Sequence, residues 1–392
     1  MVNNLFRHKM TAVINPFLLN AYEAPQYFCG REAETQRLTE HLLNGRNVVL
    51  AAPCRLGKTE LIQHLMHQPA IRDAYYPLYV DLSATDSVRL MVFQVAGAVL
   101  QMIEKEGLDI NPFIQTVRSL RLTAAEESGK LRVGVNLGAI GDSWETIFEI
   151  FLYLKQLDHP VMVAMDEFQR VMKYKCSTVE AEVKGLIDFV PNGRFIFSGS
   201  EVQLLTSLFT DPERPLYKSA VCEGLNVIER PVYRQFAQRL FAEGGRTLPD
   251  ETFDRIYNRV DGVTYCVQYL LHLSYARTQE GTAAMPESIE GVMNEAVALN
   301  SEFFTDQMAQ LSTNQQAVLL AVAAEKTAVA PTSADFVHRY SLRSASIVQT
   351  ALRSLTERSV VERTPAGYRV SDCLFEAWLR MNYSSSFVGT AA

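Results

Sequence analysis

The stretch from Asn47 to Thr59 constrains the fold of this 392-residue chain more than any other. Asn47-Val48-Val49-Leu50-Ala51 is short and apolar, the pattern of a strand covered on both faces. It runs into Ala52-Pro53-Cys54-Arg55-Leu56-Gly57-Lys58-Thr59, after which Leu61 and Leu65 recur at helical spacing. The loop follows G-x-x-x-x-G-K-[ST] except at its first position, where alanine replaces glycine. Strand, loop and helix in that order make a nest of converging backbone N–H groups. The first turn of the helix adds unpaired N–H groups and the positive end of its dipole. Such a nest suits phosphate. Lys58 offers a mobile cation to the β- and γ-phosphates, and Thr59 a hydroxyl to Mg²⁺. The candidate nucleotide contacts are Ala52, Pro53, Cys54, Arg55, Leu56, Gly57, Lys58, Thr59 and Glu60.

A second site of chemistry is Val161-Met162-Val163-Ala164-Met165-Asp166-Glu167, an apolar strand ending in two acids. In open α/β sheets ligands bind at the carboxyl ends of the strands. Asp166 is therefore the expected Mg²⁺ carboxylate, together with Thr59. Glu167, one residue on, is the expected base for water. That second acid favours ATP hydrolysis over phosphoryl transfer to another acceptor, and the chain has no Asn-Lys-x-Asp reader for guanine. Phe195-Ile196-Phe197-Ser198-Gly199-Ser200 ends the next strand in small polar residues. Ser200, just past the strand, is the favoured sensor of the terminal phosphate or of the water. The catalytic candidates are Lys58, Glu167 and Ser200.

Strands at 47–51, 77–81, 160–165, 194–198 and 221–228 alternate with helices at 32–43, 88–105 and 144–157. That alternation predicts an α/β fold with a parallel sheet, a P-loop NTPase core. Residues 106–143 carry Gly129, Gly134, Gly138 and Gly141, and read as an irregular loop or a short hairpin. From about Pro231 the strand signal fades into helical patterns at 233–240, 250–260 and 264–278.

Composition narrows the partners. With 48% hydrophobic and 21% charged residues the chain has material for real cores, and its net charge of −7 argues against a protein that coats nucleic acid. The longest apolar stretch, Leu90 to Ile103, falls short of the roughly 20 residues that span a bilayer. Residues 1–16 carry no secretory pattern. The six cysteines are scattered without a CxxC pair, so they are expected as reduced thiols in a cytoplasmic protein.

These features together resemble the archaeal-type ATPase family of the STAND/AAA-related P-loop proteins. The resemblance rests on Phe28-Cys29-Gly30-Arg31-Glu32, the loop from Ala52 to Thr59, Met165-Asp166-Glu167-Phe168 and Gly199-Ser200. Pro215-Leu216-Tyr217 and the stretch from Gly367-Tyr368 through Ser371-Asp372 to Trp378-Leu379 add to it. It covers about residues 25–382, less 106–143. It implies an ATPase core, a helical lid and a C-terminal winged helix, with Phe28 and Gly30 beside the adenine. The expected domains are 1–230 for the core, with a leading segment 1–45, then 231–310 for a lid closing over the nucleotide. The winged helix follows at 311–383, then a frayed tail at 384–392. Arg55, Arg214, Lys218 and Arg234 are basic candidates for completing the site.

In the last module Gln315–Ala324, Ser333–Tyr340 and Ser344–Thr356 read as three helices and 360–370 as a wing. From Thr313 to Tyr383 eight basic residues face six acidic ones, a mild bias. Weak duplex DNA binding or a protein contact, including self-association, both remain open. The expected activity is Mg²⁺-dependent ATP hydrolysis by a nucleotide-controlled switch that passes between ATP and ADP. The alternative is an ATP-gated DNA-binding regulator with little or no hydrolysis.

Overall fold

The computed structural model describes residues 15–19, 22–120, 122–127, 130–135, 143–364 and 366–387. Parts of the expected leading segment (1–14, 20 and 21), of the 106–143 insertion (121, 128, 129 and 136–142) and of the tail (388–392) lie outside them. The chain divides into two compact units, one of them Tyr22–Asn226.

That unit is built on a five-stranded parallel sheet. Its strands are β1 (Val48–Ala51), β2 (Tyr76–Asp81), β5 (Val161–Asp166), β6 (Arg194–Gly199) and β7 (Val221–Gly224), in the order β2-β5-β6-β1-β7. Between them β3 (Leu122–Glu127) and β4 (Lys130–Val135) form a separate antiparallel hairpin inside the insertion. Every residue of β1 and β5 is buried. The twofold alternation of a strand sorts them to opposite faces. Val49, Val163, Met165, Phe195 and Phe197 pack on one side with helices Val88–Glu106, Ser143–Gln156 and Val179–Phe189. Val48, Leu50, Met162, Ala164 and Ile196 pack on the other with helices Glu32–Leu43 and Lys58–Met66. Each of these side chains larger than alanine contributes about 1.5–3 kcal/mol on burial. Strand β7 is one of the two edges, with alternating cover, and it stops at Gly224 rather than at 228.

The other unit runs from Val227 onward and includes residues 15–19. Phe17 is fully buried there against Phe236, Phe241 and Tyr275, and Asn15 Nδ2 donates to the His272 carbonyl at 2.9 Å. By compactness, then, residues 15–19 go with the helices rather than with a leading segment of the core. Helices Arg230–Glu243, Asp250–Arg259, Thr264–Arg277, Ile289–Leu299 and Ser301–Ala309 come first. Helices Thr313–Glu325, Ala334–Arg339 and Ala345–Glu357 follow, then β8 (Val361–Thr364) paired antiparallel with β9 (Gly367–Val370), and helix Cys373–Phe387. Side chains of Ser312, Ser333 and Ser344 cap the three helices, accepting from Gln315, Phe336 and Ile347. The last helix passes the expected boundary at 383, with a break in its dihedrals at Tyr383.

One expectation is overturned. Cys266 and Cys373, 107 residues apart in the chain, are joined as a disulfide. Spacing along the chain carries no sign of it, because folding alone brings their Cα atoms to 6.8 Å, within the range a disulfide bridges. The other cysteines, Cys29, Cys54, Cys176 and Cys222, form no disulfide. Among the described residues no helix is long and apolar enough to cross a membrane.

Candidate functional site

Strand β1 delivers the loop to the carboxyl edge of the sheet, beside the ends of β5 and β6. Ala51 lies in register with Gly199, and Ala52 N–H donates to the Gly199 carbonyl at 3.3 Å. Ala52 does not take a positive φ, so alanine is tolerated where the motif has glycine. The left-handed positions of the loop are Arg55 (φ 67°) and Gly57 (φ 87°). Gly57 then opens helix Lys58–Met66. Lys58 is only 6% exposed, and its Nζ donates to the carbonyls of Ala52 and Pro53 at 2.8 and 3.0 Å. A buried ammonium held only by loop carbonyls is a cation poised for an anion. Glu60 is exposed in the first turn, and Pro53, Cys54 and Arg55 are half-buried with Leu56 beneath them.

Asp166 is 3% exposed and saturated by donors. Thr59 Oγ1 donates to its Oδ2 at 2.6 Å, and the Tyr79 hydroxyl donates to the same oxygen at 2.8 Å. Ser198 Oγ donates to Oδ1 at 2.5 Å, and the Glu167 N–H at 3.0 Å. Burial first, then the charge of Asp166, pushes the Tyr79 phenol well up, so it stays a protonated donor. Thr59 and Asp166 are hard oxygen donors in direct contact, which is the chemistry a hard divalent cation takes.

Glu167 has left-handed backbone (φ 54°, ψ 39°). Its Oε2 accepts from Gln169 Nε2 at 2.6 Å and from Ser200 Oγ at 3.2 Å. Gln169 is 2% exposed, and its Oε1 is buried with no hydrogen-bond partner. Strand β6 leaves room for it: a Cβ on Gly199 would lie 1.9 Å from that Oε1. The two serines thus divide their work, Ser198 on Asp166 and Ser200 on Glu167.

Phe28 stacks on His64 of the helix after the loop, with ring centroids 4.2 Å apart and planes at 17°. The Tyr22 hydroxyl lies 3.0 Å from His64 Nδ1, and burial lowers the His64 pKa. Gly30 takes a left-handed φ of 58° at the turn into helix Glu32–Leu43. Of the four basic candidates, Arg214 is paired with Glu180 at 2.8 Å and Arg234 with Asp250 at 3.2 Å. Lys218 lies over the Tyr217 ring, and Arg55 belongs to the loop itself. Tyr79 and Gln169 are site neighbours that sequence reasoning missed, and Ser198, passed over there in favour of Ser200, is the serine bonded to Asp166. Only the acid-ended strand Pro77–Asp81 hinted that β2 reaches this edge, where Asp81 stands in register with Asp166.

Residues 302–381 match the family described as a probable winged helix domain. The Walker-type ATPase PABY2304 of Pyrococcus abyssi superposes with a TM-score of 0.65 at 18% identity, over 93% of this chain and 99% of that one. The chain has the P-loop ATPase fold. The Aeropyrum pernix ORC2 protein in its ADPNP–ADP complexes gives a TM-score of 0.56 at 15% identity, over 95% and 97%. The Aeropyrum pernix ORC1 protein in complex with DNA gives 0.53 at 15%, over 94% and 97%. No curated protein matches the chain by sequence. With this P-loop ATPase fold, the parallel sheet carries the loop and the acids, and the winged-helix match falls at 302–381.

Proposed function

We infer that the chain binds ATP with Mg²⁺ and hydrolyses it, as a nucleotide-controlled switch. One observation carries this reading: Thr59 bonded to Asp166 at 2.6 Å, beside a buried Lys58 and a hydrogen-bonded Glu167. Ala52 to Thr59 cradle the phosphates, and Thr59 and Asp166 hold the cation. Bound Mg²⁺ supplies charge neutralisation on the phosphate oxygens. Glu167 accepts the proton of the attacking water, and Ser200 orients that carboxylate. Phe28 and Gly30 lie at the base.

A second reading is an ATP-gated DNA-binding regulator. It draws on the ORC1 protein's complex with DNA, and on an exposed helix face bearing Ser346, Gln349, Thr350 and Arg353, preceded by exposed Arg343. Duplex binding through this module is weak and salt-sensitive, because several of its arginines are paired with acids. Arg353 pairs with Glu357 at 2.9 Å, Arg339 with Glu325 at 2.6 Å and Arg380 with Glu376 at 3.0 Å.

The test is Glu167→Gln, assayed for phosphate release and ATP affinity with and without duplex DNA. The hydrolase reading expects turnover to fall about 10²–10⁴-fold with ATP still bound. Wild-type protein that releases no phosphate but binds DNA differently with ATP and ADP would favour the regulator.

A further inference from the structure

Arg31 is 6% exposed and sits at the turn into helix Glu32–Leu43, with its own backbone left-handed (φ 77°, ψ 14°). Its guanidinium is pinned on several sides. Nη1 donates to Glu34 Oε1 at 2.7 Å, and Nη2 donates to the Asn226 carbonyl at 2.7 Å and to the Leu56 carbonyl at 3.1 Å. Asn226 ends the N-terminal unit, and Leu56 is the loop residue directly before Gly57.

The Leu56 contact has a consequence for the loop. In a trans peptide the C=O and the next N–H point in opposite directions. The described chain has no cis peptide, so a donor fixed on the Leu56 oxygen also fixes the direction of the Gly57 N–H. Glycine is the residue that permits the left-handed φ of 87° here. The same freedom lets the Leu56–Gly57 peptide rotate, which would turn the N–H out of the nest. A charged, buried donor held by a carboxylate and a second carbonyl removes that freedom, since hydrogen bonds from charged groups are the strong ones.

We propose that Arg31 is a positioning residue for phosphate: it locks the Leu56–Gly57 peptide so that the Gly57 N–H faces the bound phosphates. This rests on reading Ala52 to Thr59 as a phosphate site. In this role Arg31 acts through the loop backbone, by its bond to the Leu56 carbonyl, and not by a contact of its own with the nucleotide. Its effect therefore falls on the phosphate part of a ligand and spares the base.

The experiment uses the full chain and two probes, ATP and inorganic tripolyphosphate, the second having no base. Affinities are measured for wild type, Arg31→Met, Arg31→Lys and Lys58→Ala, with a melting curve for each. Arg31→Met is expected to weaken ATP and tripolyphosphate by the same factor, about 10- to 100-fold. Arg31→Lys is expected to lose less, because an ammonium keeps the charge without the planar fork. Should Arg31→Met fail to fold, the parallel loss of both probes in Arg31→Lys carries the test. Wild-type affinity for both probes in a folded Arg31 variant overturns the proposal and leaves Arg31 a stabilising link. Loss of ATP with tripolyphosphate unchanged also overturns it, placing Arg31 on the base side. If Lys58→Ala keeps wild-type affinity as well, the reading of the loop itself fails. If Lys58→Ala alone loses binding, only the role of Arg31 does.

Discussion

A carboxylate proposed to hold a cation should not swing, and the hydrogen bonds to Asp166 show how single residues prevent that. Four donors hold its two oxygens at 2.5–3.0 Å. Thr59 is the donor a cation would claim, which leaves Tyr79 as the lasting partner of Oδ2. Partners behind a metal ligand typically matter 10- to 100-fold in metal affinity. Tyr79→Phe is therefore expected to raise the Mg²⁺ concentration for half-maximal turnover about 10-fold or more, with Mg²⁺-free nucleotide affinity unchanged. A Mg²⁺ titration of phosphate release checks this, and an unmoved midpoint would reduce Tyr79 to packing.

Between elements, the end of β6 and the short helix Phe168–Lys173 after β5 meet with no spare space. Gln169 fills the gap above Gly199, donates to Glu167 and leaves its own Oε1 unpartnered. A buried unpaired acceptor costs about 1–3 kcal/mol, so this amide is held there by its bond to Glu167 and by packing. Gly199→Ala sets a Cβ against that oxygen and is expected to destabilise by about 1–3 kcal/mol, and to slow turnover by displacing Gln169. Adding Gln169→Ala opens the space and should return much of the stability but not the turnover. Denaturant unfolding of the two single variants and the double variant gives the coupling directly.

On the scale of the whole molecule, the longest covalent tie lies in the C-terminal unit. The disulfide links helix Thr264–Arg277 to the first residue of helix Cys373–Phe387. It closes a loop of 107 residues, and bonds of this kind stabilise by typically 2–4 kcal/mol. Reductant is expected to lower the melting temperature of the C-terminal unit while ATP affinity, which the proposed function assigns to Ala52 to Thr59 of the other unit, stays put. Melting curves with and without reductant, beside an ATP titration, check both halves. An unmoved C-terminal melt would mean the two sulfurs are not joined in solution.

Strands buried on both faces have to be written as unbroken apolar runs, and helices on a core as spaced ones. For that reason the sequence alone placed Glu32–Leu43 to the residue, and β1, β2, β5 and β6 to within one. The loop was legible because its chemistry is local: nest, Lys58 and Thr59 all lie within eight consecutive residues. Edge strand β7 was overdrawn, since its alternating cover fades into loop without a break in composition. Tyr79, Ser198, Gln169 and Arg31 became site residues only through register and packing. Each sits on a different element from the group it holds, or reaches back along its own chain through a turn. The sequence by itself determined most of the elements and the strand-loop-helix order around Ala52 to Thr59, the loop proposed to meet phosphate. Only the tertiary structure decided which donors surround Asp166 and Glu167 and which sulfurs meet. Hydrogen bonds and disulfides depend on distances of a few ångströms between segments far apart in the chain, and folding sets those distances.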